Sequence, residues 1–277
     1  MEKDTYEFRI NVTCFLAGVL GTLLGGTQTF ICTGAIGLIV SALSLLGYHV
    51  PFLNDVILNV LFLPCVIFNG AGVASAYAAK YHDIRGVNTD RSLLFTKDYR
   101  VFLCGGIFGL AGYLLFVLFS SLNVPLDIGA LVVVIVGVVG RLLFNQEQWI
   151  NKKAFTPSRN AMINLLSFQL VLSIGVSLLT ILCVKLTGIT AIGFYISAFS
   201  LIFVFKYPQF PATHHISMVV GYAFVQTGDI LLSVIFGVLA HLVFTVFGMV
   251  FNVDCGTHID PPAVAIGTFS LIIFTIL

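Results

Sequence analysis

The chain has 277 residues, of which 58% are hydrophobic and 9% are charged, and its formal net charge is +1. Its mean hydropathy of +1.06 is far above that of a soluble domain, so the composition predicts an integral membrane protein. A near-neutral chain whose basic residues are spread over loops argues against nucleic-acid binding. The six cysteines form no CxxC pair and predict small core residues, not a metal or disulfide framework.

Hydrophobic runs, taken in chain order, predict ten segments between polar breaks, and nine of them could cross a bilayer as helices of about 20 residues. The eighth is short, follows Pro208 and Pro211, and carries His214 and His215, so we predict a half-helix or a re-entrant piece there. The sequence thus predicts a multi-pass protein of the cell membrane. The segments are residues 9–30, 31–48, 56–79, 101–121, 126–145, 161–185, 187–205, 213–227, 229–251 and 259–277.

Two stretches of the first half have similar counterparts in the second. Residues 32–46 resemble residues 186–202, and residues 107–137 resemble residues 235–267, in the same order along the chain. Such internal similarity indicates a duplication. We therefore predict two transmembrane repeats of about five segments each, formed by residues 1–150 and 151–277.

Basic residues predict how the repeats are oriented. Five lie between Lys80 and Arg100, and four lie between Arg141 and Arg159, so both stretches are expected in the cytoplasm. Because each repeat holds an odd number of segments, the repeats are expected to be inverted, with a site near the midplane as in many secondary transporters. The expected fold is all-α and polytopic, with nine to ten segments, of which those near residues 206–227 and 254–262 are broken or re-entrant. A re-entrant third or eighth segment would remove the inversion.

Polar residues inside the hydrophobic second half are the candidate site. An ionisable group at membrane depth costs about 2.5 to 3.5 kcal/mol and tends to line a pathway. In THIDPP, Pro261 and Pro262 suit a first helical turn, with Asp260 or Thr257 near the cap. A helix start attracts an anion, which a protonated His258 would favour and Asp260 would oppose. An anion, a cation or a proton-coupled solute all remain open.

We predict that a small solute binds between two helix starts. One start carries Thr257, His258, Asp260, Pro261 and Pro262, the other carries Thr213, His214 and His215, and Asn69 and Asp127 are the counterparts in the first half. Histidines at these positions are suited to sensing or carrying protons. His241 lies within an apolar run and is expected to be a packing residue, and Gly70 and Gly72 are expected to allow close helix contacts.

The second half also resembles the HPP family of small integral membrane proteins. The resemblance rests on the small-residue helix of residues 191–205, on KYPQFPATHHISMVVGYAF at residues 206–224, and on GTHIDPPAVAIGTF at residues 256–269. Asp260 stands where that family has the histidine of its His-Pro-Pro motif, and His258 lies two residues earlier. The resemblance implies a transporter of a small anion such as nitrite.

The function that the sequence favours is a transporter or channel for a small polar or anionic solute, either passive or driven by a gradient, because no nucleotide-binding motif occurs. Neither an enzyme nor a bound cofactor is expected. The alternative is a non-transporting membrane subunit that anchors or assembles a larger complex. A third, an intramembrane metal enzyme, would need the histidines and Asp260 to converge on one ion. The expected partners are the solute and the lipid bilayer, and the sequence is also compatible with a homo-oligomer.

Overall fold

The computed structural model describes residues 2–154 and 159–277, with the backbone alone for residues 2–7 and 159–162. This part of the chain is all-helical, and its one β-type contact is an isolated parallel bridge between Gly86 and Thr257. The helices are α1 (Glu2–Leu24), α2 (Gly26–Leu45), a π-helix (Phe52–Leu61), α3 (Pro64–Tyr81), a short 3-10 helix (Leu94–Thr96), α4 (Tyr99–Ser121), α5 (Ile128–Phe144), α6 (Arg159–Thr187), α7 (Ile192–Ser200), a second 3-10 helix (Leu201–Phe205), α8 (His214–Thr227), α9 (Ile230–Phe251) and α10 (Pro261–Ile276).

Five stretches of the described helices are long and apolar enough to cross a membrane, judged by length and composition. Large apolar side chains cover their outer faces, as Val171 does on α6 with 73% of its surface exposed. A soluble protein would bury such residues, whereas lipid accepts them. The chain is therefore a helical membrane protein, as its composition predicts. The five stretches are Gly26–Leu45, Phe52–Tyr81, Tyr99–Ser121, Ile163–Thr187 and Ile230–Phe251.

The first two helices meet at Gly25, so the predicted boundary between residues 30 and 31 is wrong. Gly25 has a φ of 99°, a conformation that residues with a Cβ atom rarely adopt. The next residue, Gly26, donates its N–H to Thr89 O at 2.6 Å and fixes the turn against a distant loop. Hydropathy does not mark this turn, because apolar residues lie on both sides of it.

Three of the predicted segments are irregular. In the third, the π-helix ends before Pro64, which lacks an N–H and begins α3 at a position where none is needed. In the seventh, α7 continues into the second 3-10 helix. The eighth is a helix of only 14 residues that begins at His214 after an irregular stretch, residues 206–213. The prediction that the eighth segment is short is confirmed.

Close packing of α1, α3 and α4 depends on small residues. Gly70 on α3 lies against the backbones of Gly18 on α1 and Gly105 on α4. Helix backbones approach this closely in membranes where side chains are absent. The prediction of close packing is confirmed for Gly70 but is wrong for Gly72, where an added Cβ atom would meet no neighbour within 4 Å.

Helix contacts in the two halves follow one pattern. In the first half α1, α3 and α4 pack on one another, and in the second half α6, α8 and α9 do the same. α5 packs on α3 and α4, as α10 packs on α8 and α9. The halves meet chiefly where α2 contacts α7 and where α5 contacts α10.

Both of these contacts join antiparallel helices. On α2, Gly34 lies beside Phe199, and the later residue Gly37 lies beside the earlier residue Tyr195 on α7. α5 and α10 also run in opposite directions, because Ala130 near the start of α5 lies beside Gly267 well inside α10, whereas the later residue Gly137 lies beside Ile259 just before α10. Each pair therefore brings corresponding elements of the two halves together with reversed direction.

The two ends of the bundle differ in their connections. At one end the α1–α2 turn binds the loop of residues 82–98, because Leu93 N–H donates to Thr22 O at 3.1 Å. α5 ends there as well, since Lys80 Nζ donates to Leu143 O at 3.3 Å. We call this the basic end, because that loop is rich in arginine and lysine. The opposite end holds the end of α4 and the starts of α5 and α7.

Candidate functional site

The site begins at the N-terminus of α10. Asp260 caps this helix, because Ala263 N–H donates to its Oδ2 at 2.9 Å. Pro261 and Pro262 occupy the first helical positions, as predicted from their missing N–H groups. The second carboxylate oxygen, Oδ1, lies 3.3 Å from His258 Nε2. Asp260 is buried, with 6% of its surface exposed, so the polar cluster is part of the protein interior.

The start of α5 is built in the same way. Asp127 caps it by accepting the Ala130 N–H on Oδ1 at 2.8 Å. Its other oxygen accepts the Tyr222 hydroxyl from α8 at 2.7 Å. The backbone N–H of Asp127 donates to Ser270 Oγ on α10 at 2.9 Å, which joins the two halves. In each half, an aspartate thus caps the start of the last helix and uses its second carboxylate oxygen for a side-chain contact.

His214 is the third polar group of the site. It is the first residue of α8, and 3% of its surface is exposed. Neither ring nitrogen has a hydrogen-bond partner among the described residues. The ring stacks on Phe30, with centroids 4.8 Å apart, and Phe194 meets it edge-on at 5.8 Å. A buried polar ring without partners is costly and needs an explanation, which a ligand could supply.

These groups line a first cavity of about 200 Å³. It contains His214 and Asp260 at its inner end and Asp127 on its wall. Most of its surface is apolar and aromatic, with Phe116 and Phe194 among the contributors. Because the starts of α5 and α7 line it as well, this cavity extends toward the opposite end of the bundle.

A second cavity of about 560 Å³ extends toward the basic end. It is lined by the start of α2, the last two turns of α9 and the loop before α10. Both cavities are lined by Phe30, His214, Asp260 and Pro262. This shared wall separates two spaces that approach it from opposite ends of the bundle.

Only some of the predicted site residues lie on these cavities. His214, Asp260, Pro262 and Asp127 line the first cavity, and His258 and Pro261 line the second. Asn69 lies beside His258 and Asp260 in a narrow crevice, but its Nδ2 donates to Cys65 O at 2.7 Å.

The remaining predicted residues lie elsewhere. His215 points away from the cavities and pairs with His241, Nε2 to Nδ1, at 2.9 Å, while its ring stacks on Phe244. Thr213 faces a separate apolar cavity between α6 and α7. The expectation that His241 is a hydrogen-bonded packing residue is confirmed.

Arg141 is the main functional residue that the sequence analysis does not predict, because it counts this arginine among the basic residues of a loop. It lies in the last turn of α5 with 1% of its surface exposed. Its Nε donates to Thr257 Oγ1 at 2.9 Å, one Nη donates to the carbonyls of Phe251 and Thr257, and the other donates to Trp149 O. Its position inside an apolar run is the sequence signal that could have identified it. Arg141 therefore holds the loop that leads into His258 and Asp260.

The loop held by Arg141 also contains a buried thiol. Cys255 is buried beside Arg141, and burial raises the pKa of the Cys255 thiol although the guanidinium opposes that shift. In the described part of the chain, no three His, Cys, Asp or Glu side chains lie close enough together to hold a metal ion.

The fold and the site define a helical membrane protein with a buried polar site between two cavities. The chain belongs to a family of unknown function (DUF7973), whose profile matches residues 1–154 and 166–277. No curated protein and no solved structure matches the chain.

Proposed function

We propose that the protein is a transporter or channel for a small polar solute, which passes between the two cavities. The observation that carries this proposal is the shared wall of Phe30, His214, Asp260 and Pro262, reached by one cavity from each end of the bundle. An aqueous path with a single thin barrier is what membrane transport requires. A subunit that only anchored a complex would need neither cavity.

The packing of the halves supports the inverted-repeat plan that we propose for residues 1–150 and 151–277. Corresponding helices make corresponding contacts, and the pairs α2–α7 and α5–α10 are antiparallel. The capping aspartates Asp127 and Asp260 occupy equivalent places. Together with the basic loops, these features favour a multi-pass protein of the cell membrane whose basic end lies in the cytoplasm.

The resemblance to the HPP family supports a nitrite-like anion as the solute. One structural feature agrees with it, because α8 begins beside the first cavity without a side-chain cap. A free helix start is a favourable place for an anion.

Flux into proteoliposomes tests the proposal. We expect protein-dependent flux of at least one small solute in a panel of nitrite, nitrate, formate, chloride and methylammonium. Asp260→Ala should reduce that flux by about tenfold or more, because the site loses a buried charge. Asp229→Ala is the matched control, since Asp229 caps α9 outside both cavities. A folded protein that moves none of these solutes would contradict the proposal.

A further inference from the structure

Two carboxylates set the charge of the first cavity. Asp127 and Asp260 both line it, and no lysine or arginine occurs among the described residues that do so. A helix start contributes at most about half a positive charge, and this effect falls off within the first turn. The helix starts therefore offset the two full negative charges only in part. An anion entering this space would be repelled, and a cation would be attracted.

The groups next to the two carboxylates leave the net charge of the first cavity negative when the imidazoles are neutral. Tyr222 gives Asp127 a neutral hydroxyl donor. His258 faces Asp260 at 3.3 Å from the second cavity and would offset one charge if protonated.

His214 adds a hydrogen-bonding group with nothing to bind. Both of its ring nitrogens are buried and unpartnered in the described structure, and the ring lines the cavity beside Asp260. A neutral imidazole has one nitrogen that accepts a hydrogen bond. An N–H group of a cation would satisfy this nitrogen and could approach the carboxylate at the same time.

The rest of the lining suits an organic cation better than a metal ion. Phe30, Phe116, Phe194 and Tyr195 contribute aromatic rings to the cavity. Aromatic faces attract ammonium groups and also bury alkyl chains. A bare metal ion would need several oxygen or nitrogen ligands close together, and the described His, Cys, Asp and Glu side chains form no such group of three. A volume of about 200 Å³ limits the ligand to a few carbon atoms.

We infer that the first cavity binds a small alkylammonium ion, with its N–H groups directed at His214 and Asp260 and its alkyl part against the aromatic wall. This inference rests on the proposed transport function, but it assigns to the site a solute of opposite charge to nitrite.

The test compares two readouts on the purified protein at about pH 8, where imidazoles are mostly neutral. One is uptake of radiolabelled methylammonium or nitrite by proteoliposomes, and the other is the melting temperature in detergent with ethylammonium chloride or sodium nitrite at equal ionic strength. We expect methylammonium uptake to be saturable and ethylammonium to raise the melting temperature. Asp260→Asn keeps a capping side chain but removes the charge. It should lower methylammonium uptake about tenfold or more and should remove most of the increase in melting temperature with ethylammonium.

Two further variants make the result specific. His214→Phe preserves the ring stack on Phe30 but removes both nitrogens, so it should also weaken ethylammonium binding. Asp229→Asn changes a capping aspartate outside the cavity and should leave both readouts unchanged.

Nitrite uptake without methylammonium uptake or an ethylammonium-dependent increase in melting temperature overturns this inference and leaves the transport proposal standing. An Asp260-dependent ethylammonium shift without any flux supports the binding site and contradicts transport. Absence of both flux and shift in a folded protein overturns both.

Discussion

Asp98 shows how one side chain couples a loop of the basic end to a helix. It caps α4 by accepting the Arg100 N–H at 3.0 Å, and it also binds the Arg100 guanidinium and His82 Nε2. These hydrogen bonds favour the carboxylate and lower the pKa of Asp98 from 3.8 to about 2. Because the folded pKa lies below the ordinary value, this contribution to stability is complete above about pH 4 and is lost as the pH falls through the folded pKa.

The first prediction concerns this pH dependence. The melting temperature of the wild-type protein in detergent should fall between pH 4 and pH 2, in part because Asp98 becomes protonated. Asp98→Asn should lower the melting temperature at neutral pH and show a smaller fall over the same interval. Asp229→Asn serves as the control, since Asp229 caps α9 but has no ion pair in the described structure. Equal pH profiles for wild type and Asp98→Asn would show that Asp98 contributes nothing to the acid transition.

Arg141 is the second residue whose removal should be costly. Its guanidinium binds three backbone carbonyls and one hydroxyl, so Arg141→Met leaves several buried acceptors unpaired, at about 1 to 3 kcal/mol each. Arg141→Lys keeps the charge but lacks the planar fork, and should recover only part of the loss. The backbone carbonyl of the single tryptophan, Trp149, accepts one of these bonds, so we expect its fluorescence to change when the bond is lost. Arg85→Lys, at an exposed position, should change neither the fluorescence nor the melting temperature.

At the level of helices, Gly70 and Gly72 provide a matched pair on α3. A Cβ atom at Gly70 would collide with the backbones of Gly18 and Gly105, which cannot move without separating α1 and α4 from α3. A Cβ atom at Gly72 would meet no neighbour within 4 Å. We therefore expect overpacking to make Gly70→Ala less stable by about 1 to 3 kcal/mol, which a lower melting temperature would show. Gly72→Ala should leave the melting temperature unchanged. Equal effects of both substitutions would contradict the packing described for this helix.

Local signals made part of the architecture predictable. The start of α10 follows from Pro261, Pro262 and a capping residue, all within a few positions of one another. The shortness of α8 follows from the prolines before it. The α1–α2 boundary did not follow, because Gly25 turns the chain inside an uninterrupted apolar stretch. A turn held by a distant loop leaves no periodic pattern in the sequence.

The sequence predicts those residues of the candidate site that a local helix-start signal marks, and it does not predict contacts between distant parts of the chain. His214 and Asp260 are predicted from their positions before apolar helices, Asp127 is predicted as a counterpart in the first half, and all three line the first cavity. His215 was placed there too, yet it points to His241, because adjacent residues of a helix face different directions. Phe30, which stacks on His214, could not be predicted, since the contact joins different halves of the chain.

For the whole molecule, the two cavities place a single barrier between the ends of the bundle. The loop that carries His258 is clamped by Arg141 at the basic end, whereas the equivalent position at the end of α10 is Phe274, which cannot form such bonds. In the proposed repeat arrangement, the end of α10 therefore lacks the hydrogen bonds that hold the loop beside the end of α5. We expect the proposed barrier to move more easily at the opposite end, where Phe274 stands in place of Arg141 among the described residues.

The last prediction tests the barrier with one cysteine on each side. Met218 lines the first cavity and Met249 lines the second, and both are partly exposed. In a background without the six native cysteines, a charged membrane-impermeant thiol reagent should label Met218→Cys only from the opposite end and Met249→Cys only from the basic end. Val171→Cys, which faces lipid, should resist the reagent from both ends, because a thiol in hydrocarbon does not ionise. Labelling of both cavity positions from the same end would contradict the separation of the cavities and the proposed barrier between them.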